Sequence, residues 1–182
     1  MIQLYIKQIL NDFHGFKYFG TYLIQELNVN DLLYLCDFIK IQNYMLKNEW
    51  IEPEFTKFTV YSIYDDDIND DYNHNTIGQC INDINYLFDT YLKIDGSSIA
   101  NITHNIDNHH RSYKNIKLLI DELRNNDKLN GKTELQLLRA IYIEYEFIGY
   151  YIYNYLNEES MNKFIVSNEC KKWRSSSYQT FE

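Results

Sequence analysis

The chain has 182 residues, which suits one domain with a sizeable core and leaves little room for a second. Hydrophobic residues make up 45% of the sequence, so intrinsic disorder does not fit. One Pro and six Gly are too few for the many turns of a sandwich, a barrel or a doubly wound sheet, and the composition therefore predicts an all-α fold. The net charge of −9 argues against a nucleic-acid partner, because counterion release from phosphates needs a basic face.

Apolar residues recur at helical spacing through most of the chain, which predicts eight or nine helices and almost no sheet. In chain order, the predicted helices are 2–10, 15–27, 32–48, 77–93, 107–125, 133–157, 158–165 and 168–173. Asn30 or Asp31 is the expected N-cap of the third helix, and Thr133 that of the sixth. Six residues are expected to be buried together: Phe19, Leu23, Leu32, Leu35, Leu156 and Phe164. Residues 1–173 would form the domain, and the polar residues 174–182 a mobile tail.

Signals for secretion or membrane insertion do not stand out in the sequence. The three cysteines are far apart and form no CxxC pair, so neither a disulfide framework nor a structural zinc site is expected. The most apolar stretch, 140–156, is interrupted by Glu144 and Glu146, which argues against a transmembrane segment. The apolar run at 1–10 contains Lys7 and is too short for the core of a signal peptide. We therefore expect a cytoplasmic protein.

An acidic segment, 52–75, breaks the helical pattern and is interpreted as a solvated loop insertion. A calcium loop needs Gly at its sixth position and a bidentate Glu at its twelfth, and this segment offers neither in register. Four neighbouring polar residues could ligate a divalent metal: His104, Asp107, His109 and His110. Two adjacent imidazoles on a regular helix cannot face one ion, so we favour solvated polar residues over a metal site. No GxSxG, P-loop, HExxH or GxGxxG motif occurs, and no cofactor or self-contained catalytic site is predicted.

Three segments of the chain carry a recognisable pattern. The first reads Gly15-x3-Phe19-x2-Tyr22-Leu23-x2-Glu26-x4-Asp31-Leu32-x-Tyr34. The second joins Ile84-x2-Leu87-Phe88-x2-Tyr91-Leu92 to Asn105-Ile106-Asp107-x3-Arg111. The third reads Ile152-Tyr153-Asn154-Tyr155-Leu156-Asn157-Glu158-Glu159-Ser160-Met161-Asn162-Lys163-Phe164-Ile165-x-Ser167. In this order and spacing, over residues 9–173, they resemble the regulator of G-protein signalling (RGS) domain.

The resemblance implies an all-helical domain that binds the α subunit of a heterotrimeric G protein (Gα) and accelerates its GTP hydrolysis. Such a domain supplies no arginine finger, because Gα carries that arginine in cis. It holds the Gα switch segments in their transition-state arrangement, and Gα would recruit it to the inner membrane surface. The residues that match Gα-contacting positions of the family are Glu26, Asn30, Asp31, Asn105, Asp107, Arg111, Tyr155, Glu159, Ser160 and Lys163.

The resemblance also implies a role for several of these residues. Asn105 matches an asparagine that touches the catalytic glutamine and the switch backbone of Gα, a task for which an amide can donate and accept at once. Asp107 and Arg111 match residues that organise this loop. Glu159 and Ser160 match a pair that reaches the first switch segment. Lys163 stands where the family usually has a basic residue.

The chain departs from the family pattern at two positions of the first segment. Asp31 stands where asparagine is usual, and a carboxylate cannot donate a hydrogen bond. Leu27 replaces a frequent aromatic residue, and the stretches 52–75 and 125–131 differ in length. Two alternatives therefore stay open: an interaction module of the same fold that does not activate a GTPase, and an unrelated helical bundle.

Overall fold

The structure is a computed structural model that describes residues 6–52, 77–93, 107–125 and 131–177. Within these ranges every regular element is a helix and no strand occurs, so the all-α prediction is confirmed for them. Among the same residues, no helix is both long and apolar enough to cross a bilayer. The acidic segment predicted at 52–75 lies almost wholly outside the described residues.

The N-terminal part of the fold consists of three helices. They are α1 (Ile6–Leu10), α2 (Phe13–Gln25) and α3 (Val29–Lys47). The side chain of Asp12 caps α2 by accepting a hydrogen bond of 3.1 Å from the backbone N–H of His14. Asn28 precedes α3 and makes no such side-chain bond. The N-cap predicted at Asn30 or Asp31 is therefore wrong, since α3 begins before both residues.

The remaining helices include two π-helical turns. Helix α4 (Ile77–Leu87) continues into a π turn at Phe88–Leu92, and α5 (Asp107–Asn125) follows. Helix α6 (Gly131–Tyr155) passes through a second π turn at Leu156–Ser160 into α7 (Met161–Val166), and α8 (Asn168–Ser177) completes the described chain.

Two boundaries in the C-terminal half differ from the sequence prediction. Helix α6 starts at Gly131, ahead of the N-cap predicted at Thr133. Helix α8 extends to Ser177, so part of the segment expected to be a mobile tail is helical. The predicted count of eight or nine helices refers to the whole chain and stays a prediction, because the π turns fuse neighbouring helices and the description has gaps.

In the core, α6 packs against α3, α4 and α5, while α2 packs against α3 and α8. All six residues predicted to be buried together belong to this core. Two buried tyrosines use their hydroxyls to join helices: Tyr34 of α3 donates to the carbonyl of Tyr145 (3.1 Å), and Tyr145 of α6 donates to the carbonyl of Ile84 (2.8 Å). These bonds satisfy phenol groups that burial would otherwise penalise.

Helix α6 passes close to α3 at Gly149. A Cβ at this glycine would lie 2.9 Å from Cδ1 of Phe38, whose ring is fully buried and stacks on Tyr142 at 5.7 Å. Gly149→Ala is therefore expected to lower the free energy of unfolding by about 1–3 kcal/mol, because the ring has nowhere to move. Urea denaturation measures the change.

Gly20, in the interior of α2, provides the matched control. A Cβ there would meet only Cδ2 of Leu32, at 4.0 Å, which is ordinary van der Waals contact. Gly20→Ala is expected to raise the free energy of unfolding by about 0.5–1 kcal/mol, since Ala favours a helix over Gly. If Gly20→Ala and Gly149→Ala change the free energy of unfolding in the same direction, the packing described for Gly149 is contradicted.

Candidate functional site

The junction between α6 and α7 is the first part of the candidate site. Its π turn is closed by a hydrogen bond from the backbone N–H of Met161 to the carbonyl of Leu156. Asn157, inside the turn, accepts a hydrogen bond of 3.1 Å from the backbone N–H of Ile6, which fixes α1 against the junction. Asn162 donates its side-chain amide to the carbonyl of Glu158. Isolated π turns of this kind occur frequently at functional sites.

A cleft of about 400 Å³ opens at this junction, and we call it the α6–α7 cleft. It is lined by Tyr151, Asn154, Tyr155, Glu158 and Glu159. The lining combines two tyrosines with the exposed carboxylates of Glu158 and Glu159. Among the described residues, no salt bridge engages either carboxylate. The cleft therefore suits a partner group that is basic or donates hydrogen bonds.

An aromatic cluster beneath the cleft holds α7 against α2 and α8. The ring of Phe164 is fully buried and lies 5.1 Å from Phe19, 5.6 Å from Tyr22 and 6.3 Å from Trp173, measured between centroids. Trp173 in turn donates its indole N–H to Asp12 Oδ2 at 2.8 Å. Phe164 and Trp173 thus connect α7 and α8 to helix α2 and to its N-cap.

The turn between α2 and α3 is the second part of the site. Gln25, the last residue of α2, donates to Glu169 of α8 at 3.3 Å. The pKa of the Tyr22 hydroxyl is raised, mainly by burial and further by the neighbouring Glu26, Tyr155 and Glu169. The hydrogen bond between Gln25 and Glu169 thus joins the end of α2 to the start of α8, and Tyr155 at the end of α6 is near enough to influence the Tyr22 hydroxyl.

Five of the predicted Gα-contacting residues in the α2–α3 turn and the α6–α7 junction are exposed or partly exposed. Glu26, Glu159 and Lys163 are exposed, and Asn30 and Tyr155 are partly exposed. Glu26 and Tyr155 are far apart in the sequence, and both contribute to the raised pKa of the Tyr22 hydroxyl. Tyr155 and Glu159 line the same cleft.

Two predicted contact residues do not face solvent. Asp31 is 0% exposed and Ser160 is 4% exposed. Asp31 lies in the first turn of α3, where a carboxylate is favourable to the helix dipole, and Ser160 closes the π turn under the cleft. The expectation that Asp31 lies on an exposed surface is therefore wrong, and its substitution would change the protein interior.

The part of the second RGS-like segment that contains Asn105, Asp107 and Arg111 is described only in part. Asn105 lies outside the described residues, Asp107 begins α5 without a described side chain, and Arg111 is exposed on that helix. Helices α5 and α6 are joined by a short connection, as in an antiparallel helix pair, and Asn115 donates to Glu144 at 2.8 Å. The start of α5 is accordingly directed toward the end of α6 that carries Tyr155.

The described residues offer little for catalysis by the chain alone. Burial raises the pKa of the Cys36 and Cys80 thiols to about 12, so both are protonated and poor nucleophiles at neutral pH. Within the described ranges, no cluster of His, Cys, Asp and Glu has the arrangement of a metal site. The structure does not describe the side chains of the four candidate metal ligands, His104, Asp107, His109 and His110.

Sequence reasoning missed several surface residues that the fold places at the site. Glu169 reaches the α2–α3 turn from α8, and Tyr151 and Asn154 line the cleft from α6. Periodicity identifies the buried face of a helix but does not tell which exposed residue borders a neighbouring element. No protein-family model, curated protein or solved structure matches this chain. The resemblance to RGS domains therefore rests on its three sequence segments.

Proposed function

We propose that this protein is a regulator of G-protein signalling that binds an activated Gα subunit and accelerates its GTP hydrolysis. The observation that supports the proposal is the packing of the first RGS-like segment against the third, since the rings of Phe19 and Tyr22 lie 5.1 Å and 5.6 Å from the ring of Phe164. The second RGS-like segment reaches the start of α5, which is directed toward the end of α6 that carries Tyr155.

The proposed mechanism is differential binding through the partner. Glu26 and Glu159 are exposed carboxylates that can accept hydrogen bonds from switch residues of Gα. The amide of Asn105 would donate and accept at the catalytic glutamine while staying neutral. Contacts that are stronger in the transition state than in the GTP-bound ground state lower the barrier, and Gα provides the arginine that neutralises the phosphate.

A second candidate function is binding to Gα without activation. Burial of Asp31 and Ser160 favours this candidate, because two residues at family contact positions do not present their side chains to a partner. The two functions share a binding surface and differ in whether GTP hydrolysis becomes faster.

Capture of Gα from a lysate of the source organism tests binding. With GDP and aluminium fluoride, which mimic the transferring phosphate, the immobilised protein is expected to retain Gα, whereas GDP alone should release it. Glu159→Lys is expected to weaken this binding at least tenfold, since like charges would oppose across the interface. Equal capture by wild type and Glu159→Lys would contradict the proposed surface.

Glu49→Lys is the matched control for charge. Glu49 is exposed and follows α3, whose 19 residues separate it from the α2–α3 turn by about 28 Å of helix. The same change of charge at that end of the molecule is expected to leave Gα capture unchanged.

A further inference from the structure

Basic residues are concentrated in the first two and the last two helices of the described chain. The whole chain has 17 Lys and Arg against 26 Asp and Glu. Helices α1, α2, α7 and α8 depart from this balance, since Glu169 is the one acidic residue within them. Their basic residues are Lys7, Lys17, Lys163, Lys171, Lys172 and Arg174. An acidic protein thus carries a basic region, and such a region attracts a partner of negative charge.

Helices α2 and α8 lie side by side and run in opposite directions. At one end, the indole N–H of Trp173 donates to Oδ2 of Asp12, the residue before α2, at 2.8 Å. At the other end, Gln25 in the last turn of α2 donates to Glu169 in the first turn of α8 at 3.3 Å. The exposed residues of the two helices therefore border one surface, which we call the α2–α8 face. Its basic and aromatic members are Phe13, Lys17, Lys171, Lys172 and Arg174, and all five are exposed.

The carboxylates near the α2–α8 face are already engaged within the protein. The side chain of Glu169 is 12% exposed, and its Oε1 accepts from Gln25 and lies 3.9 Å from Lys172 Nζ. Asp12 accepts one hydrogen bond from the backbone of α2 and one from Trp173. Among the described residues, no salt bridge engages the other basic members of the face. Most of its positive charge is therefore available to a partner.

Phe13 places an aromatic ring on this basic face. It is the first residue of α2 and is 61% exposed, with its ring against that of His14 at 5.6 Å between centroids. Contacts to a phosphate backbone need only cations and hydrogen-bond donors, whereas the boundary between lipid headgroups and acyl chains also accepts an apolar ring. The combination of Phe13 with several cations therefore favours a lipid surface over a nucleic acid.

We propose that the α2–α8 face binds an anionic lipid surface, with its Lys and Arg side chains at the headgroup phosphates and carboxylates and Phe13 inserted among the headgroups. The inference does not depend on the proposed function. Clustered Lys and Arg beside apolar rings attach proteins to anionic lipids. The net charge of −9 permits this binding, because charges are screened beyond about 8 Å in physiological salt. Glu26, for example, follows α2, whose 13 residues separate it from Phe13 by about 20 Å.

Sedimentation with lipid vesicles tests the proposal on the whole chain. The protein is expected to bind phosphatidylcholine vesicles that contain phosphatidylserine and to stay in solution with phosphatidylcholine alone. Raising the salt concentration from about 0.1 M to about 1 M should release it, since the Debye length falls from about 10 Å to about 3 Å. Lys171→Gln combined with Lys172→Gln is expected to weaken binding about 25-fold, at about fivefold for each charge removed. Phe13→Ser is expected to weaken binding about tenfold at constant charge.

Lys114→Gln combined with Lys117→Gln is the matched control. Both lysines are exposed on α5, so the same change of net charge is expected to leave vesicle binding unchanged. All of these variants alter exposed side chains, and their melting temperatures should equal that of wild type. Equal losses for the two double variants would overturn the assignment of the α2–α8 face. Wild type that fails to bind the anionic vesicles, or that binds double-stranded DNA in their place, would overturn the lipid partner.

Discussion

Replacing Phe164 by Ala is expected to lower the free energy of unfolding by about 3–5 kcal/mol. The ring is 0% exposed and contacts the aromatic rings of Phe19, Tyr22 and Trp173, which come from two other helices. Its removal leaves a cavity that these rings cannot fill, since they are held by the backbone of α2 and α8. Urea denaturation followed by circular dichroism gives the change.

Val166 lies on the same short helix and supplies the control. Its side chain is 73% exposed, so Val166→Ala is expected to change the free energy of unfolding by less than about 0.5 kcal/mol. Similar losses for Phe164→Ala and Val166→Ala would contradict the position of Phe164 at the centre of the cluster.

Asn105→Ala is expected to reduce the acceleration of GTP hydrolysis about 5- to 150-fold. The substitution deletes an amide that both donates and accepts, and leaves polar groups of Gα unpaired at a cost of about 1–3 kcal/mol. At tenfold for each 1.36 kcal/mol, this cost corresponds to that range of rates. Single-turnover hydrolysis with saturating wild type or variant measures the ratio.

The opposite end of α5 offers a matched asparagine. Asn125 is exposed at the last position of the helix, which has 19 residues and is about 28 Å long. Asn125→Ala is expected to accelerate hydrolysis as well as wild type. If Asn105→Ala and Asn125→Ala lose the same activity, the segment before α5 is not the contact surface.

The helices could be predicted well because apolar periodicity is strong in this chain. Leu23 was placed in the core from the spacing of apolar residues in its helix, and it is fully buried. The start of α3 was misplaced because the side chain of Asn28 makes no capping hydrogen bond to the helix, so no capping signal marks Val29. The π turn at Leu156–Ser160 has no periodic signature either, since it inserts within one continuous helix.

The candidate site was less predictable than the helices. Glu26 and Tyr155 were selected through the family resemblance, and both influence the pKa of the Tyr22 hydroxyl. Asp31 was expected at the contact surface because it matches a Gα-contacting position of the family, yet tertiary packing buries it completely. The positive φ of Leu27 could not be predicted from the sequence. A helix that ends in a Schellman motif usually has glycine at the residue with positive φ, and the turn after α2 contains no glycine.

Single-turnover GTP hydrolysis by a Gα subunit of the source organism tests the central claim most directly. Gα is loaded with GTP, and the hydrolysis rate is followed as the concentration of this protein rises. We expect the rate to increase and then saturate, with Glu159→Lys shifting the curve to higher concentration and Glu49→Lys leaving it unchanged. A rate that stays at the intrinsic value of Gα, at concentrations that saturate binding, would contradict GTPase activation and favour a module that binds without activating.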